Sequence, residues 1–329
     1  MNRSRRPTSA DVAREAGLSR ATVGYVLNDV PHQTIPEQTR RRVIEAAERL
    51  GYRPSAAARS LRTGRSDLVL GLLPDWPMGP AVSGLLTELS SGLEARGLTF
   101  VTHQRPAHGR PLRELWKAIT PAAVLVLDEL DAGDAEELRA AGLLVSHPLR
   151  AVGTSRREGG SDVRCGWVQV EHLATTGRRR IGYALPADPR VDVFSRPRLL
   201  GARQGCADLG LAQPLVCTVG LDADQAAGAV TAWREAGVDG VCAYNDEQAI
   251  VLLAALRRAG LAVPDDVAVI GVDDIPLAAL TDPPLTTVVN DTSWIAQRVV
   301  AGLMADLEGT EPPADEDADL VDVVVRASA

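Results

Sequence analysis

The chain has 329 residues, of which 45% are hydrophobic and 24% charged, and its mean hydropathy of -0.02 is typical of a soluble globular protein. No run of 18 apolar residues occurs and the first six residues are polar and basic, so we expect neither a membrane span nor a secretion signal. The four cysteines are scattered, without a C-x-x-C pair or a histidine at ligand spacing, which favours reduced thiols in a cytoplasmic protein and predicts no metal site and no cofactor.

The charge is distributed unevenly along the chain. Residues 1–66 contain 13 Arg against 6 Asp and Glu, a net charge of +7, whereas the remainder carries -15. A basic head on an acidic body is typical of a nucleic-acid-binding module joined to a sensor domain. A solvated basic tail would explain the charge equally well, but the periodicity of the head favours a folded module.

Two short helices separated by a tight turn are predicted at the start of the chain. Thr8 is placed to cap the first helix and Gly17 to end it. Ser19 is placed to cap the second helix, whose apolar stripe consists of Val23, Val26 and Leu27. Such a pair of helices forms a helix-turn-helix unit.

A third helix is predicted to have Pro36 in its first turn and to stop at Gly51. The segment Pro54–Leu61 that follows is compatible with a helix but is only about two turns long. A helix of that length is largely unfolded in water by itself. Another interaction must therefore order it.

From residue 67 onward, short apolar runs alternate with helical stretches. This alternation is typical of parallel sheets built from βαβ units, and seven or more strands exceed one compact sheet. We therefore predict two Rossmann-like subdomains. The predicted strands are Leu68–Leu73, Leu98–Thr102, Ala123–Leu127, Ile181–Leu185, Leu215–Val219, Gly240–Tyr244, Val267–Val272 and Leu320–Arg326, and the predicted helices include Val82–Arg96, Trp167–Thr176, Leu199–Leu209, Gln225–Ala236 and Gln248–Ala259.

Ordered motifs lie along nearly the whole chain. They are Asp11–Ser19, Ala21–Asn28, Thr39-Arg40, Leu50–Pro54 and Ala57–Leu61, followed by Glu171–Leu173, Gly177–Ile181, Arg198–Gly201, Ala243–Asp246, Val269–Asp274 and Pro284–Thr287. The head motifs are specific, and the body motifs gain their weight from their order and spacing. Together they resemble the motifs of the LacI/GalR family of bacterial regulators.

This resemblance implies an all-α helix-turn-helix head and an α/β body with two parallel-sheet subdomains of periplasmic-binding-protein type. The expected division is a DNA-binding domain over 1–53, a hinge over 54–66 and an effector-binding and dimerisation domain over 67–329. Within the last, the N-subdomain would comprise about 67–160 and 288–310, and the C-subdomain about 161–287 and 311–329.

The chain departs from the family pattern at three places. Gly24-Tyr25 stands where the family usually has Ser-Arg, so an arginine that often reads guanine is missing and the operator should differ at that base. Arg178 occupies a position where histidine is usual. The segment 147–164 lacks the usual Asp-Asn, and Ser161-Asp162 is its nearest counterpart, which puts effector contacts from this segment in doubt.

The second helix of a helix-turn-helix unit enters the major groove of DNA. Arg20, Ala21 and Tyr25 are the candidates that face the bases, and Arg20 could pair with guanine or contact a phosphate. Tyr25 could contact a base edge or a phosphate. The candidates for backbone contacts or helix caps are Thr8, Ser19, Thr22 and Asn28.

The resemblance gives the short segment after Pro54 a role. Paired hinge helices of a dimer would enter the minor groove, where Leu61 of each chain would wedge a base step and bend the DNA. Ser55, Ala58 and Arg59 would line that helix. Without the resemblance, Leu61 would be interpreted as a linker residue that packs locally.

Effector candidates follow from the rule that ligands bind at the carboxyl ends of parallel strands. Arg198, Asn245 and Asp273 fall there by motif, and Trp76 follows the first strand of the body. These donors and acceptors suit a sugar, a polyol or a purine-like molecule. Asn245 and Asp273 could instead serve as a helix cap or an ion pair, and Trp76 could be a core or interface residue.

The predicted function is that of a transcriptional repressor that binds a palindromic operator as a homodimer or a tetramer. A ligand in the cleft would shift the lobes and thereby either release or strengthen DNA binding. Two alternatives were weighed: a small-molecule-binding protein without operator function, and an α/β enzyme. The chain has no G-x-G-x-x-G, Walker A or G-x-S-x-G motif to favour an enzyme.

Overall fold

The structure is a computed structural model that describes residues 7–27, 35–52, 66–105, 112, 114–115, 119, 121–127, 130, 132–147, 160–312 and 321–329. The chain separates into two compact units, Met1–Asp67 and Leu68–Ala329. Among the described residues, no helix is both long enough and apolar enough to cross a bilayer.

The first unit contains α1 (Ser9–Ala16), α2 (Arg20–Leu27) and α3 (Glu37–Leu50). Its small core consists of Val12, Ala13, Ala16, Val23, Val26, Val43, Ala46 and Ala47. The predicted turn is confirmed: Gly17 ends α1 in the left-handed conformation, with φ 64°, and Leu18 packs against the core. Pro36 precedes α3 as its N-cap instead of lying in its first turn. Three short helices thus share one apolar centre.

The second unit contains two sheets, and we call each sheet with its helices a lobe. Within the described residues, the sheet of the first lobe has the parallel order β2-β1-β3-β4. The helix α10 packs beside α4 in its core. The elements are β1 (Leu68–Leu73), α4 (Pro80–Glu94), β2 (Thr99–Gln104), β3 (Ala123–Val126), α5 (Ala132–Ala140), β4 (Leu144–Ser146) and α10 (Thr292–Glu308).

The sheet of the second lobe has the order β10-β9-β8-β7-β5-β6, again within the described residues, and only β10 runs antiparallel to its neighbour there. One helix pair, α6 and α7, covers one face of this sheet, and α8 and α9 cover the other. The elements are α6 (Gly160–Thr175), β5 (Ile181–Pro186), α7 (Asp192–Asp208), β6 (Leu215–Val219), α8 (Ala223–Ala236), β7 (Gly240–Ala243), α9 (Asp246–Arg258), β8 (Ala268–Val272), β9 (Thr286–Asn290) and β10 (Val321–Val324).

This arrangement confirms the predicted fold class and every predicted strand of the body, with shifts of one or two residues at several ends. The short elements β4, α5 and β9 and the 17-residue helix α10 were not predicted. The start of α6 was also missed, because it begins at Gly160 and not at Trp167. The cysteines are free, and three of them, Cys165, Cys206 and Cys242, are buried.

The chain crosses between the lobes at Asp291. The sequence-based division placed residues 288–290 in the N-subdomain, but β9 continues to Asn290 in the second sheet, where Val288 pairs with Val323 and Asn290 with Val321. The backbone hydrogen bonds to β8 and β10 therefore hold these residues in the second lobe. At the crossing, the side chain of Asn290 donates to Ser161 Oγ over 3.0 Å.

The closest packing in the second lobe is the crossing of α6 and α7. A Cβ atom at Gly166 would overlap the carbonyl oxygen of Arg198, and one at Gly201 would overlap that of Val163. The two backbones are in contact here without intervening side chains. This contact fixes where the side chains one turn earlier on each helix, Asp162 and Arg198, lie.

We predict that Gly201→Ala lowers the free energy of unfolding by about 3 kcal/mol or more, because the added methyl group forces the two backbones apart. Denaturant unfolding of the full chain measures this change. Gly228→Ala is the matched control, because this helical glycine of α8 has open space around its Cβ position and should gain up to about 1 kcal/mol. Equal stabilities of the two variants would contradict the close crossing.

Candidate functional sites

The exposed face of α2 carries the residues predicted to face DNA bases. Val23 and Val26 point into the core of the head, so the opposite side of the helix is presented to solvent. Arg20 and Ala21 are exposed there, and the side chain of Tyr25 is 39% exposed. A Cβ atom at Gly24 would have open space around it. The exposed face of α2 therefore presents the guanidinium of Arg20 and the phenol of Tyr25, with only the small residues Ala21 and Gly24 between them.

The hydroxyls predicted as backbone contacts also form helix caps. Ser19 Oγ accepts a hydrogen bond from the backbone N–H of Thr22 over 3.0 Å and lies 2.8 Å from Thr22 Oγ1. Thr8 donates from its N–H and its hydroxyl to the carboxylate of Asp11, over 2.9 Å and 2.7 Å. These contacts order the starts of α1 and α2. Asn28, Ser55, Ala58, Arg59 and Leu61 lie outside the described residues.

In the second unit, Arg198 lies on α7 and binds groups at the carboxyl ends of β7 and β8; we call Arg198 and these contacts the floor of the cleft expected between the lobes. Its guanidinium donates from Nε to Asp162 over 2.7 Å, from Nη1 to the carbonyl of Tyr244 over 2.9 Å, and from Nη2 toward Asp273 over 3.5 Å. The side chain is only 9% exposed. The structure thus brings together two residues that the sequence predicted, Arg198 and Asp273, and adds Asp162 to them.

Around Arg198, burial and the neighbouring charges shift the pKa values of the ionisable groups in opposite directions. Burial disfavours the charge of Arg198, but Asp162 and Asp273 hold its pKa above the ordinary value. Burial raises the pKa of Asp273 to about 6, although Arg198 acts in the opposite direction. Asp273 also has a φ of 107°, a left-handed conformation that a non-glycine residue rarely adopts. Such strain is typical of functional sites.

Asn245 caps α9 directly after β7. Its Oδ1 accepts from the backbone N–H of Gln248 over 3.0 Å, and its Nδ2 lies 3.4 Å from Glu247 Oε2. The alternative interpretation of Asn245 as a helix cap is therefore confirmed. Its neighbour Tyr244 places its ring 5.0 Å from the guanidinium carbon of Arg198.

Trp76 follows β1 and contacts the opposite lobe. Its ring lies 4.9 Å from that of Phe194 on α7, and only 6% of the residue is exposed. Nearby, Arg190 Nη1 lies 3.8 Å from Asp75 Oδ1 across the same cleft. Phe194 precedes Arg198 by four residues, so both lie on one face of α7. Trp76 is thus a buried residue of the first lobe's core, and it touches the helix that carries Arg198.

Asp162 and Phe194 were not among the predicted site residues. The sequence did single out Ser161-Asp162 as a departure from the family pattern, but no helix was predicted there. The spacing of Asp162 to Gly166 and of Arg198 to Gly201 is the signal that could have suggested a close contact. Glycines occur in helices for several reasons, so this spacing alone does not identify a helix contact. The tertiary structure is needed to interpret it.

Asp246 is a buried carboxylic acid beneath the cleft. As the first residue of α9, it accepts hydrogen bonds from Ile275 N over 2.9 Å and from Thr287 Oγ1 over 2.5 Å. Burial raises its pKa to about 7, although these hydrogen bonds act in the opposite direction. Across the strand end, Asp274 pairs with Arg326 over 2.6 Å, so Asp273 and Asp274 point to different partners.

Among the described residues, no group of three or more His, Cys, Asp or Glu side chains could hold a metal ion.

Two family models match the chain. The model for bacterial regulatory proteins of the lacI family matches residues 8–55, and the model for a periplasmic binding protein-like domain matches residues 170–329. The first covers the three helices of the head, and the second covers most of the second lobe together with α10.

Individual proteins match over nearly the whole chain. The HTH-type transcriptional regulator MalR of Streptomyces coelicolor is 32% identical, over 97% of this chain and 95% of the relative. A solved complex of the transcriptional regulator CelR with cellobiose is 26% identical, with a TM-score of 0.65 and coverage of 98% of this chain and 100% of that one. The Lac repressor dimer bound to operator shares the fold at 22% identity, with a TM-score of 0.77 and coverage of 98% and 99%.

We predict that Asp246 gives the stability of the protein a pH dependence. Because its pKa rises from 3.8 to about 7, the folded chain holds a proton that the unfolded chain releases between these values. The free energy of unfolding therefore falls as pH rises through this window, by up to about 1.4 kcal/mol per pH unit.

Thermal unfolding of the protein and of Asp246→Asn across this window tests the prediction. The amide retains an acceptor for Ile275 and a donor for Thr287 but does not titrate, so the variant should lose this contribution. The difference between the two curves should grow toward higher pH in favour of the variant. A constant difference would contradict the raised pKa.

Proposed function

Because the chain belongs to the LacI family of bacterial regulatory proteins and is a DNA-binding transcriptional regulator, we propose that it is a repressor that binds a palindromic operator as a homodimer. A small polyhydroxylated effector in the cleft of the second unit would control this binding. The exposed face of α2, opposite its buried valines, is the observation that carries the DNA-binding part of the proposal.

In this proposal, α2 lies in the major groove and presents Arg20, Ala21 and Tyr25 to base edges. Arg20 would pair with a guanine through its two parallel N–H groups. Tyr25 stands where the family usually has arginine, so the operator should differ at the base that this position reads. Ala21 and Gly24 leave room between these two side chains.

Backbone contacts would set the register of the head on the duplex. Thr8, Ser19, Thr22 and Asn28 are the proposed phosphate contacts, and the caps that Ser19 and Thr8 form would hold their helix starts against the backbone. In the hinge, Ser55, Ala58 and Arg59 would line the minor groove and Leu61 would wedge a base step.

A palindromic operator requires a second copy of the chain, because each head can read only one half-site. A homodimer is the smallest assembly that meets this requirement, and a tetramer would pair two such dimers. A regulator of this kind acts on chromosomal DNA, which places it in the cytoplasm. Its relatives are named as transcriptional regulators, and the proposal gives this chain no catalytic role.

The effector site of the proposal consists of Arg198, Asp273, Asn245 and Trp76. Arg198 and Asp273 supply charged donors and acceptors at the carboxyl ends of parallel strands, where ligands of such folds bind. Trp76 and Phe194 pack ring against ring between the lobes, and in the proposal this aromatic pair lies beside the ligand. The complex of the relative CelR with cellobiose supports a sugar or polyol as the class of effector.

The mechanism would be a shift between lobe arrangements. A ligand beside Arg198 acts on α7, and α7 carries the contact of Phe194 with Trp76 of the other lobe. A change of that contact would move the first lobe and thereby alter how two hinges meet on DNA. A coupling free energy of about 1–3 kcal/mol is ordinary for such a linkage.

Selection of bound sequences from random duplex DNA, with and without sugars and polyols, tests this function. We expect a palindrome with two half-sites roughly one helical turn apart, recovered by the full chain. Asymmetric or unselective recovery at low salt would contradict the proposal, and would favour a small-molecule-binding protein without operator function.

Arg20→Ala should relax the selected sequence at one guanine in each half-site, with a loss of about 1–3 kcal/mol at that position. Arg49→Ala is the matched control, because it removes the same charge from an exposed ion pair with Glu15 at the far end of α3. The control should retain the guanine preference. A uniform loss across all sequences would make Arg20 a phosphate contact.

Leu61→Ala should weaken binding to the selected operator by at least about tenfold while leaving binding to unrelated DNA nearly unchanged, since only the specific complex requires the wedge. Fluorescence anisotropy with both duplexes measures the two affinities. Equal losses on the two DNAs would remove the wedge from the proposal.

A further inference from the structure

We propose that the cleft admits uncharged, hydroxyl-rich ligands and excludes anionic ones, and that Asp162 is the side chain that sets this preference. The inference rests on the proposed function, which places the effector beside Arg198. It goes further by assigning the charge of the ligand and the residue that determines it.

Among the described residues, each arginine at the cleft is already matched by two carboxylates. Arg198 lies 2.7 Å from Asp162 and 3.5 Å from Asp273. Arg190 lies 2.6 Å from Asp188 and 3.8 Å from Asp75 of the opposite lobe. The described cleft therefore carries more negative than positive charge before any ligand enters.

Glu247 adds to this surplus. Its carboxylate lies 3.4 Å from the amide nitrogen of Asn245, and a Cβ atom at Gly79 of the first lobe would lie 3.6 Å from it. An anionic ligand would meet these carboxylates in a partly buried site, where repulsion between like charges is screened less than in water. It would have to displace a carboxylate to reach either guanidinium.

An uncharged, hydroxyl-rich ligand is not repelled by these carboxylates. Arg198 uses one N–H on each of its three nitrogens for Asp162, Tyr244 and Asp273, which leaves further N–H groups on Nη1 and Nη2 for a ligand oxygen. The carboxylates accept hydrogen bonds but cannot donate them. A hydroxyl both accepts and donates, so one ligand hydroxyl can satisfy a guanidinium and a carboxylate together.

Asp162 determines the charge preference more than Asp273 does. Its contact with the guanidinium is the shorter one, and its side chain is 24% exposed against 13% for Asp273, so it is the more accessible to a ligand. Asp162→Asn removes one negative charge but retains an oxygen that can accept from Arg198 Nε. The guanidinium therefore stays in place while the electrostatic barrier to anions falls.

The test compares matched neutral and phosphorylated ligands by calorimetry on the full chain. The probes are cellobiose, maltose and sorbitol, each beside its own phosphate monoester. We expect a neutral member to bind at least about tenfold more tightly than its phosphate, and Asp162→Asn to reduce this ratio by at least about fivefold. Asp192→Asn is the matched control, because it removes an equally short contact with Arg196 on the surface of the same helix and should keep the ratio.

Three results would overturn the inference while the proposed regulator stands. Tighter binding of a phosphorylated member to the unaltered protein is the first, and the same ratio in both variants is the second. Operator binding by a protein that binds none of the neutral probes is the third. Absence of any selected operator would instead remove the proposed function itself.

Discussion

The second unit depends on how a guanidinium is kept charged inside the protein. Taking Arg198 out of water is costly unless acceptors surround it. Those acceptors come from three separate elements: Asp162 from α6, the carbonyl of Tyr244 from the end of β7, and Asp273 from the end of β8. The side chain of Arg198 on α7 thus connects α6 to the ends of two strands. The close backbone contact at Gly166 and Gly201 brings α6 near enough for Asp162 to accept a hydrogen bond from Arg198.

Among the described residues, the same contacts link the cleft floor to two places where the lobes meet. Ser161, next to Asp162, accepts from Asn290 where the chain crosses to the first lobe. On the other side, α7 carries Phe194 against Trp76 of the first lobe. A ligand that alters the Arg198 contacts therefore acts on elements that meet the first lobe at two places. This continuity gives the proposed population shift a physical route.

The head is stabilised by different interactions from those of the second unit. Among its described residues the core is small, and alanines and valines make up all of the buried apolar side chains. Hydrogen bonds add to this small core: Thr8 donates to Asp11, Ser19 caps α2, and Arg42 of α3 donates to the carbonyl of Ala16 at the end of α1 over 2.6 Å. Because valines on the inner face of α2 pack into this core, the opposite face of the helix remains exposed and available for DNA recognition.

The sequence by itself determined the helix-turn-helix unit and the strands of the body, because capping residues, left-handed glycines and apolar periodicity act over a few neighbouring residues. The class of regulator followed from the resemblance of the ordered motifs to a known family, and the same motifs made Arg198, Asn245 and Asp273 candidates for effector contacts. Only the tertiary structure decided that β9 stays in the second lobe and that Asp162 reaches Arg198. Those facts rest on strand pairing and on a backbone contact between residues far apart in the chain, and no local pattern encodes such distances.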